Sequence, residues 1–218
     1  MGLGPGNGPV TPVLPAGGPA LTLELRFQGC ILGAWLGWQL GGDMTWGQWL
    51  VQGCRYWTGQ ATQAPVATNA PEALLLALPR LLLAYPCTDE YAEIVAAAGL
   101  PEVAYAWTLV LHQALQGQVG EPLADTQTWP ALAQSVADFH SIPDDPGISL
   151  RRARRQGRSA FTLGLTGWLL GAYGGGIGFP ASWVAGLPNT DWRAFGTALL
   201  ACWAGVRTGT GPWAVRPK

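Results

Sequence analysis

Charge is what this chain has least of. Asp, Glu, Lys and Arg make up 11% of its 218 residues, under half of the roughly 25% usual in globular domains. The formal net charge is -1, so the positive excess needed to bind nucleic acid is missing, and that class of partner is excluded. Histidine is scarce too, and with only His112 and His140 a histidine-rich metal site is excluded. The four cysteines, Cys30, Cys54, Cys87 and Cys202, lie far apart and form no CxxC pair. That spacing speaks against a zinc site or disulfide framework, and for small buried hydrophobes in a reducing compartment. A GxSxG elbow, a phosphate loop and a dinucleotide fingerprint are also missing, which removes the common hydrolase and nucleotide-fold chemistries. The opening MGLGPGNGPVTPVLPAGGPA lacks the basic start and apolar core of a secretory signal, and lacks Ser or Thr at position six for myristoylation. We expect residues 1–20 to be a disordered Gly/Pro tail, 21–210 one helical domain and 211–218 a short tail.

Small and large apolar residues are plentiful instead. Hydrophobic residues reach 49%, with 31 Gly, 18 Pro and 12 Trp, a mixture that suggests helices packed closely through glycine with indoles filling the gaps. From Leu21 onward the pattern is helical. Gly29, Gly33 and Gly37 recur every four residues beside Ile31, Leu32, Trp35 and Leu36, a smooth stripe where a second helix can approach. Trp46, Trp49, Leu50, Gly53 and Trp57 continue at helical spacing. PEALLLALPRLLLAYP predicts an apolar helix bent at Pro79, and Thr88 is the expected cap of DEYAEIVAAAG. Further helices are expected from Pro101 to Gln116, within QTWPALAQSVADFHSI, over Leu150–Tyr173 with a break at Gly157, and over Asp191–Val206. With neither strand alternation nor repeats, the expected fold class is all-α, a single compact domain.

One run carries no charge at all, Ser159 to Thr190, and Arg151, Arg152, Arg154, Arg155 and Arg158 precede it. A basic flank before an apolar stretch is what a cytoplasmic membrane boundary looks like. Its eight glycines and a mean hydropathy of only +0.18 for the chain argue against a span, and a membrane-associated helical protein is the third-ranked expectation. Arg151, Arg154, Arg155 and Arg158 stand at i, i+3, i+4 and i+7, one face of a continuous helix, suited either to solvent or to an acidic protein partner or membrane surface. His112, inside an apolar helix, reads as a hydrogen-bonded core residue, and Glu72, Glu90, Glu93 and Glu102 fall at helix starts, where the dipole favours them.

Three blocks resemble the ADP-ribosylglycohydrolase family. RFQGCILGAWLGWQLGG (Arg26–Gly42) is similar to that family's first helix, RxxGALLGLAxGDALG, and EALLLALPRLLLAYP to its middle helix. LRRARRQGRSAFTLGLTGWLLGAYGGGIGFPASWVAGL (Leu150–Leu187) is similar to its C-terminal LRRAVNLGGDTDTVAAIAGALLGAYYG followed by IPxxWxxxL. The resemblance implies an all-α domain whose relatives hold two Mg²⁺ with aspartates and hydroxyls and cleave ADP-ribose from side chains, or split related glycosidic bonds. Each hard cation wants about six oxygen ligands, so several carboxylates are needed.

On this chain those carboxylates are mostly replaced. The first metal aspartate falls on Arg158, the hydroxyl is kept as Ser159, the second aspartate becomes Ala160 and the next threonine Phe161. The aspartate of the first helix falls on Trp38, and the family's TDDT on Gly42-Asp43-Met44-Thr45. One carboxylate and two hydroxyls do not hold two divalent cations, and the permanent charge of Arg158 repels them. We therefore expect no cofactor, the family's Mg²⁺ site being lost. Asp43, Thr45, Arg158, Ser159 and Trp38 would line a pocket that takes a nucleotide-like anion, or Arg158 would pair with Asp43 and plug it; Trp38 would fill the volume of the metals. Arg151, Arg154 and Arg155 form the partner patch. We expect a cytoplasmic, degenerate member that acts as a binding or scaffolding subunit, by way of a protein partner or a homo-oligomer. Second comes a residual or altered hydrolase that uses Asp43 as its catalytic residue.

Overall fold

The structure, a computed structural model, describes residues 21–187 and 192–206. The expectations for residues 1–20 and 211–218 lie outside the described residues. Among those described, the chain is all-helical: α1 (Leu23–Gly41), α2 (Trp46–Trp57), α3 (Ala70–Ala84), α4 (Thr88–Ala97), α5 (Glu102–Leu115), α6 (Pro130–Ser141), α7 (Pro146–Arg155), α8 (Ala160–Gly174), α9 (Ala181–Ala185) and α10 (Trp192–Trp203). A 3-10 turn at Gly176–Gly178 and the five-residue α9 went unforeseen because both are too short to show a period. Among the described residues no helix is long and apolar enough to cross a membrane.

Two central helices organise the core. In α1 every residue from Gly29 to Trp38 is buried, and in α8 every residue from Phe161 to Ala172. A helix apolar all round belongs in the middle of a bundle. The two run antiparallel, face to face along their glycines: Gly29 against Gly171, Gly33 against Gly167, Gly37 against Leu163 and Gly164, Gly41 against Ala160. The approach is backbone to backbone, since a Cβ on Gly33 would lie 1.9 Å from the Gly167 carbonyl oxygen. The glycine stripe thus has its second helix, and that helix comes from the other end of the sequence. Around this pair, α2 packs on α3, α3 on α4, α4 on α5, α6 and α7 on α8, and α10 on α1.

Arg26 ties the far end of the seam. Its Nη1 faces the carbonyl oxygens of Ala114 (3.0 Å) and Ala172 (2.8 Å) and that of Tyr173. These are last-turn carbonyls of α5 and α8, the negative ends of two helix dipoles, where a guanidinium is favoured. The predicted cap at Thr88 is displaced by one residue: Cys87 is the N-cap of α4, Thr88 opens the helix, and no side chain caps it. The chain continues as helix through Pro79. The break at Gly157 is complete, with φ +76 there, so the expected Leu150–Tyr173 helix is two helices.

Candidate functional site

The segments carrying the candidate residues meet at one end of the α1–α8 seam. Here α1 finishes at Gly41 beside Ala160, the first residue of α8. Three helices begin around Phe161. Its ring lies 5.1 Å from that of Trp46, the first residue of α2, and stacks at 6.2 Å on Trp129, the N-cap of α6. Neither α2 nor α6 has a side-chain N-cap bond. Helix N-termini carry partial positive charge and N–H groups without intrahelical partners, and three of them converge here.

Arg158 adds a full positive charge in the turn before α8. Its partner is Asp138, not Asp43: Arg158 Nε donates to Asp138 Oδ2 at 2.9 Å and Nη2 to Oδ1 at 3.3 Å, a two-pronged pair. The Asp138 side chain is 8% exposed and that of Arg158 24%, so the pair sits at the edge of the core. The expected Arg158–Asp43 contact fails for a local reason. Asp43 follows the left-handed Gly42 cap of α1, and its Oδ1 turns back to accept from the Thr45 amide (3.0 Å) and Thr45 Oγ1 (2.5 Å). Those bonds hold the Asp43 carboxyl below the usual carboxylate range, and they engage Asp43 and Thr45 with each other.

Ser159 is engaged locally too. As the N-cap of α8, its Oγ accepts from the Thr162 amide at 3.1 Å and lies 2.9 Å from Thr162 Oγ1. Trp38 lines no open wall. It is fully buried on the seam, where a Cβ on Gly164 would sit 2.1 Å from Nε1, and its ring meets Trp35 edge-on at 5.8 Å. Its Nε1 and those of Trp35 and Trp168 are buried without a hydrogen-bond partner. The volume expected of a ligand-lining indole is therefore core volume.

The residues that the resemblance aligns with the family's magnesium ligands are engaged with other partners. Asp43 and Thr45 bond each other, Ser159 caps α8, and the carboxylate nearest the position of the first metal aspartate is neutralised by Arg158. Among the described residues no three His, Cys, Asp or Glu side chains gather into a group able to hold a metal.

Sequence reasoning missed Asp138. The buried stripe of α6 runs Leu132, Ser135, Val136, Phe139, and Asp138 stands one turn beyond Ser135 on its flank. An acid there calls for a cation, which was the available signal. Also missed was a cleft of about 460 Å³ between α2, α3 and α4, where Arg80 lies 5.1 Å over the Trp57 ring.

Arg151, Arg152, Arg154 and Arg155 are exposed on α7. Arg158 does not share their face, because α7 stops at Arg155. Asp145 caps the opposite end of α7, accepting from the Ile148 amide at 2.8 Å, and Asp144 accepts from the Tyr173 hydroxyl at 3.1 Å, so neither neutralises the arginines. His112 is half-buried between Tyr85 and Tyr91, with Nε2 2.8 Å from Gln116 Nε2. Cys30 and Cys54 are buried thiols, and burial pushes both up, which makes them inert. Neither a family model, nor a curated protein, nor a solved structure matches this chain.

Proposed function

We propose that the chain is a degenerate ADP-ribosylglycohydrolase-like domain without dimetal hydrolysis, which works by binding as a scaffolding subunit and accepts a nucleotide-like anion, if any small ligand, at the Phe161 end. The observation that carries this is the Arg158–Asp138 pair. At the place where the resembling family has its first metal aspartate stands a cation already satisfied by a buried acid. The two blocks with the strongest resemblance, Arg26–Gly42 and Leu150–Leu187, also pack on each other through their own glycines, which supports reading them as parts of one such fold. The buried thiols of Cys30 and Cys54 suit a reducing compartment such as the cytoplasm.

Calorimetric titration of the purified chain with magnesium, manganese and ADP-ribose tests this, alongside an assay for magnesium-dependent release of ADP-ribose from modified protein. The expected outcome is no metal uptake and no release, with ADP-ribose binding, where present, independent of metal. Stoichiometric uptake of two divalent ions with turnover would return the chain to the hydrolases.

A further inference from the structure

Two helix faces that share no packing helix mirror one another in charge. On α7, Ile148, Arg151, Arg152 and Arg155 stand at i, i+3, i+4 and i+7, all exposed. On α4, Asp89, Ala92, Glu93 and Ala96 occupy the same four register positions, also all exposed. The acids stand at the first and third positions of one stripe, and arginines at the last three of the other. The alanines leave shallow gaps in which long arginine stems and Ile148 can lie. The side chains of Arg152, Arg155, Asp89 and Glu93 have no hydrogen bond or ion pair among the described residues. Arg151 is held with its guanidinium 5.4 Å over the Trp183 ring, which fixes the rim of the basic face before any partner arrives. In a chain with only 12 basic residues in all, four of them on one ten-residue helix is a concentration that calls for an acidic counterpart.

We propose that α7 of one copy docks on α4 of a second copy of this chain, so that the protein self-associates through oppositely charged helix faces. The choice of a second copy rests on charge complementarity within the chain itself. α4 packs on α3 and α5 while α7 packs on α6 and α8, and each copy therefore offers both halves of the contact. A ten-residue helix is about 15 Å long, and two such faces cover less than the roughly 800 Å² per partner of a standard interface. The association is therefore of the weak, salt-sensitive kind. It gives the scaffolding reading a partner and rests on that reading only for its biological sense, since no step passes through Arg158 or Asp43.

Sedimentation velocity on the full chain tests it. The parent is expected to gain mass with concentration at about 20 mM salt and to be monomeric at about 500 mM. The pairs Arg151→Glu with Arg155→Glu, and Asp89→Arg with Glu93→Arg, each weaken self-association at least tenfold. An equimolar mixture of the two variants restores it, because each then carries the complement of the other. These positions are exposed, and circular dichroism checks that both variants fold. A parent that stays monomeric at low salt and high concentration overturns the proposal, as does a mixture that fails to associate. Monomeric parent that binds anionic vesicles would instead assign the arginines to lipid. Magnesium-dependent ADP-ribose release from a self-associating parent would overturn the pseudoenzyme reading alone.

Discussion

Replacing Gly33 by Ala should unfold this protein more readily than almost any other one-methyl change. The added carbon would lie 1.9 Å from the Gly167 carbonyl oxygen and 2.6 Å from its carbon. Both are backbone atoms in the middle of a buried helix, so no rotamer relieves the contact. Restoring an ordinary C···O distance of about 3.3 Å means parting α1 and α8 by about 1.4 Å. A radial gap of even 0.5–1 Å forfeits a quarter to a half of a dispersion contact, and the loss falls along the whole seam, including the packing of Trp38 over Gly164. Overpacking costs about 1–3 kcal/mol and sometimes more, and a rigid backbone obstacle on a central helix belongs at the high end, about 4 kcal/mol. Alanine returns about 1 kcal/mol in helix propensity. The net loss is about 3 kcal/mol, a fall in Tm of roughly 6–12 °C for a chain of this size. Gly174 is the control: it closes α8, and nothing lies within 4 Å of a Cβ placed there. Gly174→Ala should be neutral or stabilising by about 0.5 kcal/mol. Urea unfolding of both variants reads the difference as a change in midpoint at constant slope. A Gly33→Ala protein as stable as the parent would refute the close backbone contact and, with it, the pairing of the two glycine stripes.

Asp138→Ala should cost about 2–3 kcal/mol, the value of a charge-assisted hydrogen-bonded pair at the core edge, discounted because Arg158 keeps 24% of its side-chain surface. A double-mutant cycle with Arg158→Ala should show coupling, and additive losses would contradict the pair. Burial holds the imidazoles of His112 and His140 below their ordinary value near 6.5. Their folded pKa is depressed, so the unfolded chain takes up protons first, and their contribution, present above about pH 6.5, is lost on acidification below it. Tm should therefore drop between about pH 7.5 and about pH 5.5, and His140→Gln should flatten that slope; an unchanged slope in His112→Gln and His140→Gln together would remove the cause.

The parts of this molecule that could be read from sequence are those that repeat. Gly29, Gly33 and Gly37 announce a close helix contact because a period of four over three turns has few other uses, and the blank of charge after Ser159 announces a buried helix. What sequence withheld was pairing. The expected Arg158–Asp43 contact joined two residues that the resemblance aligns to one site, whereas the chain closes each locally: Asp43 onto Thr45, two residues on, and Arg158 onto the acid of a helix that packs beside its own turn. The arginine stripe was misassigned for a related reason. Gly157 has a positive φ, which ends α7 and swings Arg158 out of register, and Ile148 takes its place in the exposed row.

The seam and the candidate site place different demands on sequence, and this separates fold from chemistry. Close approach of α1 and α8 needs only that side chains be absent at Gly29, Gly33, Gly167 and Gly171; it is indifferent to charge. A dimetal centre needs acids at the helix starts around Phe161, where the N-terminal ends of α2, α6 and α8 would otherwise leave uncompensated positive potential. On the proposed reading, replacing those acids leaves the seam untouched and makes this end of the bundle less negative. The end of the bundle then holds three helix N-termini, an arginine matched by one buried acid, and Asp43 turned onto its own loop. On the proposed reading, such an end disfavours a divalent cation and favours an anion. For this reason the proposed loss of hydrolysis and the proposed retention of binding are a single electrostatic consequence of the same substitutions.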